Sequence, residues 1–246
     1  MTTMQIRIRD KNLFIAPAND SAPIDHIPPA VYVLKEHPKE DIVALIYDRP
    51  KFEVPTMTYG RHAHMREEIL TAWKNCPSST GVILRGLLRA GKTMLAEDLG
   101  NRLLQQDIPV IMTTEDVSMR ALEVAVCTTG PCMLLFDEFG KRFSKEKRRG
   151  MITYFSDSSV PKVLLVVTAN KMKELDKYMM NRPGRFLFDI VFDRLNPVAT
   201  SEMVDEYELS DEIKRMINAH VNSSAITFDV LRFQARQEKE DTGVEE

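Results

Sequence analysis

Eight consecutive residues, GLLRAGKT from Gly86 to Thr93, combine the residue types needed to hold phosphate groups. They match the pattern G-x-x-x-x-G-K-[ST], in which backbone N–H groups of a loop and of the following helix face phosphate oxygens. Glycine allows close approach, Lys92 adds a positive charge at the β- and γ-phosphates, and the Thr93 hydroxyl coordinates Mg²⁺. The predicted nucleotide-binding residues here are Gly86, Leu87, Leu88, Arg89, Ala90, Gly91, Lys92, Thr93 and Met94.

Two acids follow an apolar run farther along the chain. The sequence from Cys132 to Glu138 reads CMLLFDE, which predicts a buried strand that delivers carboxylates to the edge of a sheet where ligands bind. We expect Asp137 to share a Mg²⁺ ion with Thr93, and Glu138 to act as the base or orienter of an attacking water. Read alone, an apolar run followed by two acids also fits a helix cap.

A polar residue, Asn170, ends a third predicted strand that starts at Lys162. At that edge its amide could hydrogen-bond the attacking water or the γ-phosphate. Asparagine is equally favoured in a simple turn or at a helix start, so this residue alone leaves both interpretations open.

Two arginines, Arg182 and Arg185, flank a Pro-Gly turn in the sequence NRPGRF. The planar guanidinium matches phosphate oxygens, and a turn can carry it beyond the surface of its own subunit. The arrangement suits a finger that acts on the site of a neighbouring copy. Without the other motifs, the same pair would be interpreted as solvated turn arginines.

The elements that must position these residues alternate between strands and helices. Apolar segments of strand length are separated by helical stretches such as the one with Leu95, Leu99 and Leu103 at every fourth position. This alternation predicts a parallel sheet covered by helices. The predicted strands are Gly81 to Arg85, Val110 to Thr113, Met133 to Phe136, Val163 to Thr168 and Phe186 to Phe192.

Two flanking regions complete the predicted organisation. Seven of the thirteen prolines precede residue 59, and Val31 to Leu34 and Ile42 to Tyr47 are predicted strands, so residues 1–58 are expected to form a β-rich arm or minidomain. Residues 59–196 would form the nucleotide-binding α/β domain. Residues 197–246 would form a helical lid, with helices starting at Ser210 and Thr227.

Composition sets broad limits on function. Thirty-three Lys and Arg against thirty-six Asp and Glu give a net charge of -3, so nucleic-acid affinity would need a local patch. One such patch is the segment Lys141 to Arg149, although a solvated basic helix face is the alternative. Three cysteines without zinc-ligand spacing, and the lack of a long apolar run, predict a cytoplasmic protein with no membrane association.

In this order the motifs resemble those of AAA+ ATPases. GLLRAGKT resembles Walker A, MLLFDE resembles Walker B, Asn170 matches sensor 1, and RPGRF resembles the arginine-finger motif of the unfoldase and remodelling clade. The resemblance covers residue 59 to the end, and it implies a P-loop NTPase α/β fold with a small C-terminal helical lid. It also places the adenine near Tyr59 and Gly60. The catalytic set it implies is Lys92, Glu138, Asn170, Arg182 and Arg185.

The resemblance further implies ATP and Mg²⁺ as cofactors and a homo-oligomeric ring, with a hexamer favoured. Threading members carry an aromatic-hydrophobic-Gly pore loop where this chain has Thr114 to Met119. The small size and proline-rich front also resemble ATPases of tailed-phage genomes, which would place the protein in the host cytoplasm. Three hypotheses follow: an ATPase that remodels a macromolecule, an ATP-switched nucleic-acid loader, and a nucleotide-gated scaffold.

Overall fold

The structure is a computed structural model. It describes residues 4–9, 12–17, 27–37, 42–55, 60–88, 90–155, 160–170 and 186–192, together with residues 202 and 215. The strands are β1 Met4–Arg9, β2 Asn12–Pro17, β3 Val31–His37, β4 Ile42–Arg49, β5 Thr80–Gly86, β6 Val110–Thr113, β7 Cys132–Phe136, β8 Val163–Ala169 and β9 Phe186–Phe192. The helices are α1 His62–Asn75, α2 Lys92–Leu104, α3 Met119–Thr129, α4 Phe139–Arg142 and α5 Lys145–Tyr154.

The described strands form one sheet in the order β1-β2-β4-β3-β6-β7-β8-β5-β9. From β3 to β9 every neighbouring pair runs parallel, as expected when helices connect successive strands. The predicted fold class, a P-loop NTPase parallel sheet flanked by helices, is confirmed for these residues. Strand β8 lies between β7 and β5, so the acidic strand and the phosphate-loop strand are not direct neighbours.

Helices cover both faces of the sheet, because successive strand residues point to opposite sides. On β5, Val82 and Leu84 pack in one apolar cluster with Ile69 of α1 and Leu99 of α2. Ile83 points the other way and belongs to a second cluster, with Leu122 of α3 and Met151 of α5. All seven residues of β8 are buried. Burial on both faces explains why these strands lack polar alternation in the sequence.

The N-terminal strands extend this sheet. The predicted strands at Val31 and Ile42 are confirmed as β3 and β4, which pair antiparallel. Strand β3 also pairs in parallel with β6, and Leu34 and Leu45 belong to the cluster that packs under α3. The first four strands therefore belong to the same sheet as the rest, β3 and β4 also contribute to its core, and the domain boundary at residue 58 stays a prediction.

Several predicted features lie outside the described residues. They include the turn with Arg182 and Arg185, and the lid helices expected from Ser210 and Thr227. No helix within the described ranges is long and apolar enough to cross a membrane.

Candidate functional site

The carboxyl ends of three strands meet at one edge of the sheet. The parallel register pairs Arg85 of β5 with Ala169 of β8, and Phe136 of β7 with Val167 of β8. The phosphate loop, Asn170 and the two acids therefore start at nearly the same level. Neighbouring strands are about 4.8 Å apart, so the loop strand and the acidic strand are about 10 Å apart, with β8 between them.

The phosphate loop begins at a glycine that nothing larger could replace. Gly86 has φ +134°, and a Cβ built on it would lie 2.0 Å from the carbonyl oxygen of Phe192. The next residue, Leu87, donates its backbone N–H to the same Phe192 oxygen over 2.8 Å. The loop is thus anchored to the end of β9 by a close backbone approach that only glycine permits.

Helix α2 begins without a side-chain cap. Ser118 and Ser144 each accept a backbone N–H at the starts of α3 and α5, whereas α2 starts after Gly91, which has φ 97° and no side chain to offer. The first N–H groups of α2 therefore lack the oxygen that a capping serine would supply. An anion at this helix start would fill that place and would also meet the positive end of the helix dipole.

Lys92, the first residue of α2, turns back into the loop. It is only 6% exposed, and its ammonium donates to the carbonyl oxygens of Gly86, over 3.0 Å, and of Leu87. A buried ammonium needs such acceptors or an anion. The predicted metal ligand Thr93 follows on the exposed side of the helix, and Met94 is half-buried.

The variable residues of the loop point outward. Leu87 and Leu88 are 39% and 64% exposed, although both are large and apolar. Ala90 is half-buried, and Arg89 lies outside the described residues. The geometry of the loop therefore depends on its glycines and its backbone, while these side chains contribute little to it.

Thr168 joins the two acids. Its hydroxyl donates to Oδ1 of Asp137 over 2.6 Å and accepts the backbone N–H of Glu138 over 2.9 Å. Thr168 is only 2% exposed, so both hydrogen bonds are protected from water. The sequence analysis missed this residue as part of the site, although its place two residues before Asn170 at the end of β8 was the available signal. It fixes the orientation of Asp137 relative to β8.

Glu138 is held by two donors. Its backbone has φ 53° and ψ 43°, a left-handed conformation that is uncommon for a residue with a side chain. Its Oε1 accepts the side-chain amide of Asn170 over 3.0 Å and the ammonium of Lys141 over 2.6 Å. The hydrogen bond from Lys141 is the main cause that lowers the pKa of the Glu138 carboxyl. Glu138 and Asn170, predicted separately, are thus in direct contact.

A third carboxyl group lies near Asp137. Glu97 is one helical turn after Thr93 on α2, so the two share a face of that helix. Burial raises the pKa of Glu97, with Arg49 opposing and the negative charge of Asp137 adding to the rise. The charge of Asp137 thus acts on a carboxyl group of the helix face that also carries Thr93. Mg²⁺ prefers oxygen ligands and is usually held by one or two carboxylates, so the Asp137 carboxylate and the Thr93 hydroxyl are donors of the kind that it binds.

Helix α1 is tied to α2 beside the predicted adenine region. Asp98 of α2 accepts the guanidinium of Arg66 over 2.8 Å and lies 3.4 Å from Nε2 of His62. Burial lowers the pKa of His62, against the opposing charge of Asp98. Gly60, which precedes α1, donates its N–H to the Glu202 carboxylate over 2.5 Å. The other predicted adenine residue, Tyr59, lies outside the described residues.

Several basic side chains of the segment from Lys141 to Arg149 form contacts within the protein. Arg142 donates to the carbonyl oxygen of Thr114, and Lys147 pairs with Asp116 over 2.6 Å. Arg148 donates to the carbonyl oxygens of Gly140 and Phe143 over 2.8 and 2.9 Å. The contacts of Arg142 and Lys147 attach the segment to the loop after β6, and those of Arg148 hold the turn between α4 and α5. The predicted nucleic-acid contact remains a prediction, and fewer of the segment's charges are available for it than the sequence suggested.

The loop at the pore-loop position is also anchored. Glu36, near the end of β3, accepts the N–H of Ser118 over 2.8 Å and its hydroxyl over 2.6 Å, while Lys35 pairs with Glu115 over 2.9 Å. Ser118 in turn caps α3. The N-terminal strands therefore hold the loop that follows β6.

No protein-family model matches the sequence, and no curated protein matches it. Among solved structures, the chain is similar to one described as the crystal structure of a DNA replication initiation factor. The match has 14% sequence identity and a TM-score of 0.48, and it covers 78% of this chain. It covers 65% of the other chain, so this protein spans less than two thirds of that length.

Proposed function

We propose that the protein is an Mg²⁺-dependent ATPase of the AAA+ type, which hydrolyses ATP to ADP and phosphate. The observation that carries this proposal is the meeting of three groups at one sheet edge: the phosphate loop with Lys92, the acids Asp137 and Glu138, and Asn170. A chance match to the loop pattern would not bring a hydrogen-bonded pair of acid and amide to the same edge.

Each group has a distinct task in this proposal. The backbone of the loop and the start of α2 bind the phosphates, and Lys92 exchanges its carbonyl partners for phosphate oxygens. Thr93 and Asp137 would hold Mg²⁺, which neutralises phosphate charge when it is bound. Glu138 accepts a hydrogen bond from the attacking water and orients it, while Asn170 holds the Glu138 carboxylate in place. The contacts of Thr168 with both acids keep this arrangement fixed.

Hydrolysis at a subunit interface is the second part of the proposal. Arg182 and Arg185 would reach the site of a neighbouring copy in a homo-oligomeric ring, and the energy released would remodel a macromolecule. A guanidinium that stabilises transferring phosphate is worth about 10³ to 10⁵ in rate. The support is the sequence RPGRF and its resemblance to an arginine-finger motif.

Replacement of Glu138 by Gln tests the catalytic assignment. We expect Glu138→Gln to bind ATP as the wild type does and to lose at least about 100-fold in kcat, because the amide cannot take a proton from water. Binding is measured with a fluorescent ATP analogue, and hydrolysis by phosphate release with and without Mg²⁺.

The matched control is Glu68→Gln, since Glu68 lies on the exposed side of α1 next to His64. It should hydrolyse ATP at the wild-type rate. Wild-type turnover in Glu138→Gln would contradict the assignment, and a wild type that binds ATP without Mg²⁺-dependent phosphate release would contradict the proposed ATPase.

Mixing two inactive variants tests the shared site. Lys92→Ala removes the phosphate cation and Arg185→Ala removes the proposed finger, so each alone should be nearly inactive. In a mixture, some interfaces combine an intact loop with an intact finger, and activity should return in part. A mixture as inactive as its components would contradict the interface model and would leave only binding by a single subunit.

A further inference from the structure

We infer that Lys141 is a positioning residue that restrains Glu138 and thereby limits the basal rate of hydrolysis. The inference rests on the proposed function and assigns a regulation to the same site. It begins from a short contact of 2.6 Å between the ammonium of Lys141 and Oε1 of Glu138.

The contact occupies one oxygen of the carboxylate that the proposed chemistry needs. Oε1 of Glu138 accepts both the Lys141 ammonium and the Asn170 amide. A carboxylate that orients water must accept a hydrogen bond from that water in the right direction. Asn170 holds the carboxylate beside β8 in the proposed mechanism, whereas Lys141 adds a second donor from α4, so the attacking water must displace the ammonium or use the other oxygen. The ion pair therefore competes with the catalytic arrangement.

The restraint is weak enough to be released. The side chains of Lys141 and Glu138 are 49% and 35% exposed, and they are three residues apart around a short helix. Solvent-exposed ion pairs of this kind contribute little and are screened by salt. A neighbouring anion can therefore draw the ammonium away without unfolding anything. A buried pair at the same place would disable the site permanently.

The segment around Lys141 is held independently of this contact. Arg148 fixes the turn between α4 and α5 through the carbonyl oxygens of Gly140 and Phe143, and Lys147 pairs with Asp116. Phe139 and Phe143 are buried in the core. Loss of the Lys141 ammonium should therefore leave the fold and the phosphate loop intact, so that its effect on turnover can be measured alone.

The test compares Lys141→Met, Lys141→Arg and the control Lys145→Met in steady-state ATP hydrolysis. Methionine keeps the length of the side chain without its charge, and Lys145 is an exposed lysine of the same basic segment. We expect Lys141→Met to raise kcat about two- to five-fold, as expected when a weak surface ion pair is removed. The KM for ATP should not change, because Lys141 does not belong to the phosphate loop.

Lys141→Arg should restore the low rate, since a guanidinium can pair with the same carboxylate, and Lys145→Met should match the wild type. An unchanged or lower kcat in Lys141→Met, with normal ATP binding, overturns the restraint and leaves the proposed ATPase standing. A rise of the same size in Lys145→Met would assign the effect to general charge and overturn it as well. If the wild type and every variant bind ATP without hydrolysing it, the proposed function falls together with the inference.

Discussion

The two sides of the candidate site are built in different ways. On the loop side the contacts come from the backbone. The carbonyl oxygens of Gly86 and Leu87 accept hydrogen bonds from Lys92, and helix α2, which begins at Lys92, has no side-chain cap. On the acidic side they come from side chains, where Thr168 joins the acids and Asn170 contacts Glu138. The loop therefore tolerates changes in its variable side chains, and the acidic side does not.

The difference shows at which positions of the site a particular residue type is required. A backbone cradle needs glycine at the points of close approach and accepts almost any residue between them. A side-chain network needs particular donors and acceptors, because a lost partner leaves a buried polar group unsatisfied. Three substitutions probe this contrast, starting with the largest expected effect.

Gly86→Ala should disrupt the phosphate loop where its backbone contacts Phe192 at the end of β9. The added Cβ would lie 2.0 Å from the carbonyl oxygen of Phe192, so the backbone must move. We expect a loss of about 3 kcal/mol or more in the free energy of unfolding, measured by urea denaturation, together with loss of ATP binding.

Gly130→Ala is the matched control. Gly130 also has a positive φ, of 76°, but a Cβ there would meet nothing within 4 Å. Its cost should be limited to the backbone strain of a φ of 76° with a ψ of −144°, about 1 to 3 kcal/mol. Equal destabilisation by the two substitutions would show that conformation alone, and not the approach to Phe192, makes glycine necessary at position 86.

Thr168→Val should damage the acidic side while the fold persists. Valine has nearly the same shape but cannot donate to Asp137 or accept from the N–H of Glu138. Loss of such an outer partner typically costs about 10- to 100-fold in metal affinity or activity. We expect the Mg²⁺ concentration for half-maximal hydrolysis to rise by that factor, with ATP binding in the absence of metal unchanged.

Thr168→Ser distinguishes the role of the Thr168 hydroxyl from the role of its methyl group. Serine keeps the donor and the acceptor, so it should restore most of the Mg²⁺ response despite a small loss of packing. If serine and valine are equally impaired, the role of Thr168 is packing and the contrast between the two sides fails at this residue.

Leu88→Ser should have the smallest effect. Leu88 is 64% exposed, so its side chain buries little surface in the folded protein. We expect ATP affinity within about two-fold of the wild type, and a free energy of unfolding within about 0.5 kcal/mol. A loss of binding comparable to that in Gly86→Ala would show that side chains of the loop, and not only its backbone, form the cradle.

Much of the fold followed from the sequence, because strands buried on both faces appear as short apolar runs between helices. The predicted strands at Val110 and Phe186 have the bounds found in the structure, and the others differ by a few residues at their ends. Strands β1 and β2 were not predicted individually. The parallel pairing of β3 with β6 was also missed, because pairing between distant strands leaves no periodic signal along the chain.

The site was predictable at positions where the chemistry requires one particular type of residue. The glycines, Lys92 and the acid pair satisfy such requirements, and the structure brings them to one edge. Thr168 and Lys141 were missed as neighbours of the acids, since their importance lies in contacts that only folding creates. The turn with Arg182 and Arg185 and the roles assigned to all these residues stay predictions.

Strand β8 lies between the phosphate loop and the two acids, and it limits how the distance between them can change. It is hydrogen-bonded to β5 along one edge and to β7 along the other, and all of its side chains are buried. Movement of β8 along its own axis would break its hydrogen bonds to both neighbouring strands. The distance between the phosphate loop and the two carboxylates is therefore fixed by the sheet. Any control of the chemistry must then act through rotatable side chains around the site, such as that of Lys141, which can change position without displacing β5, β7 or β8.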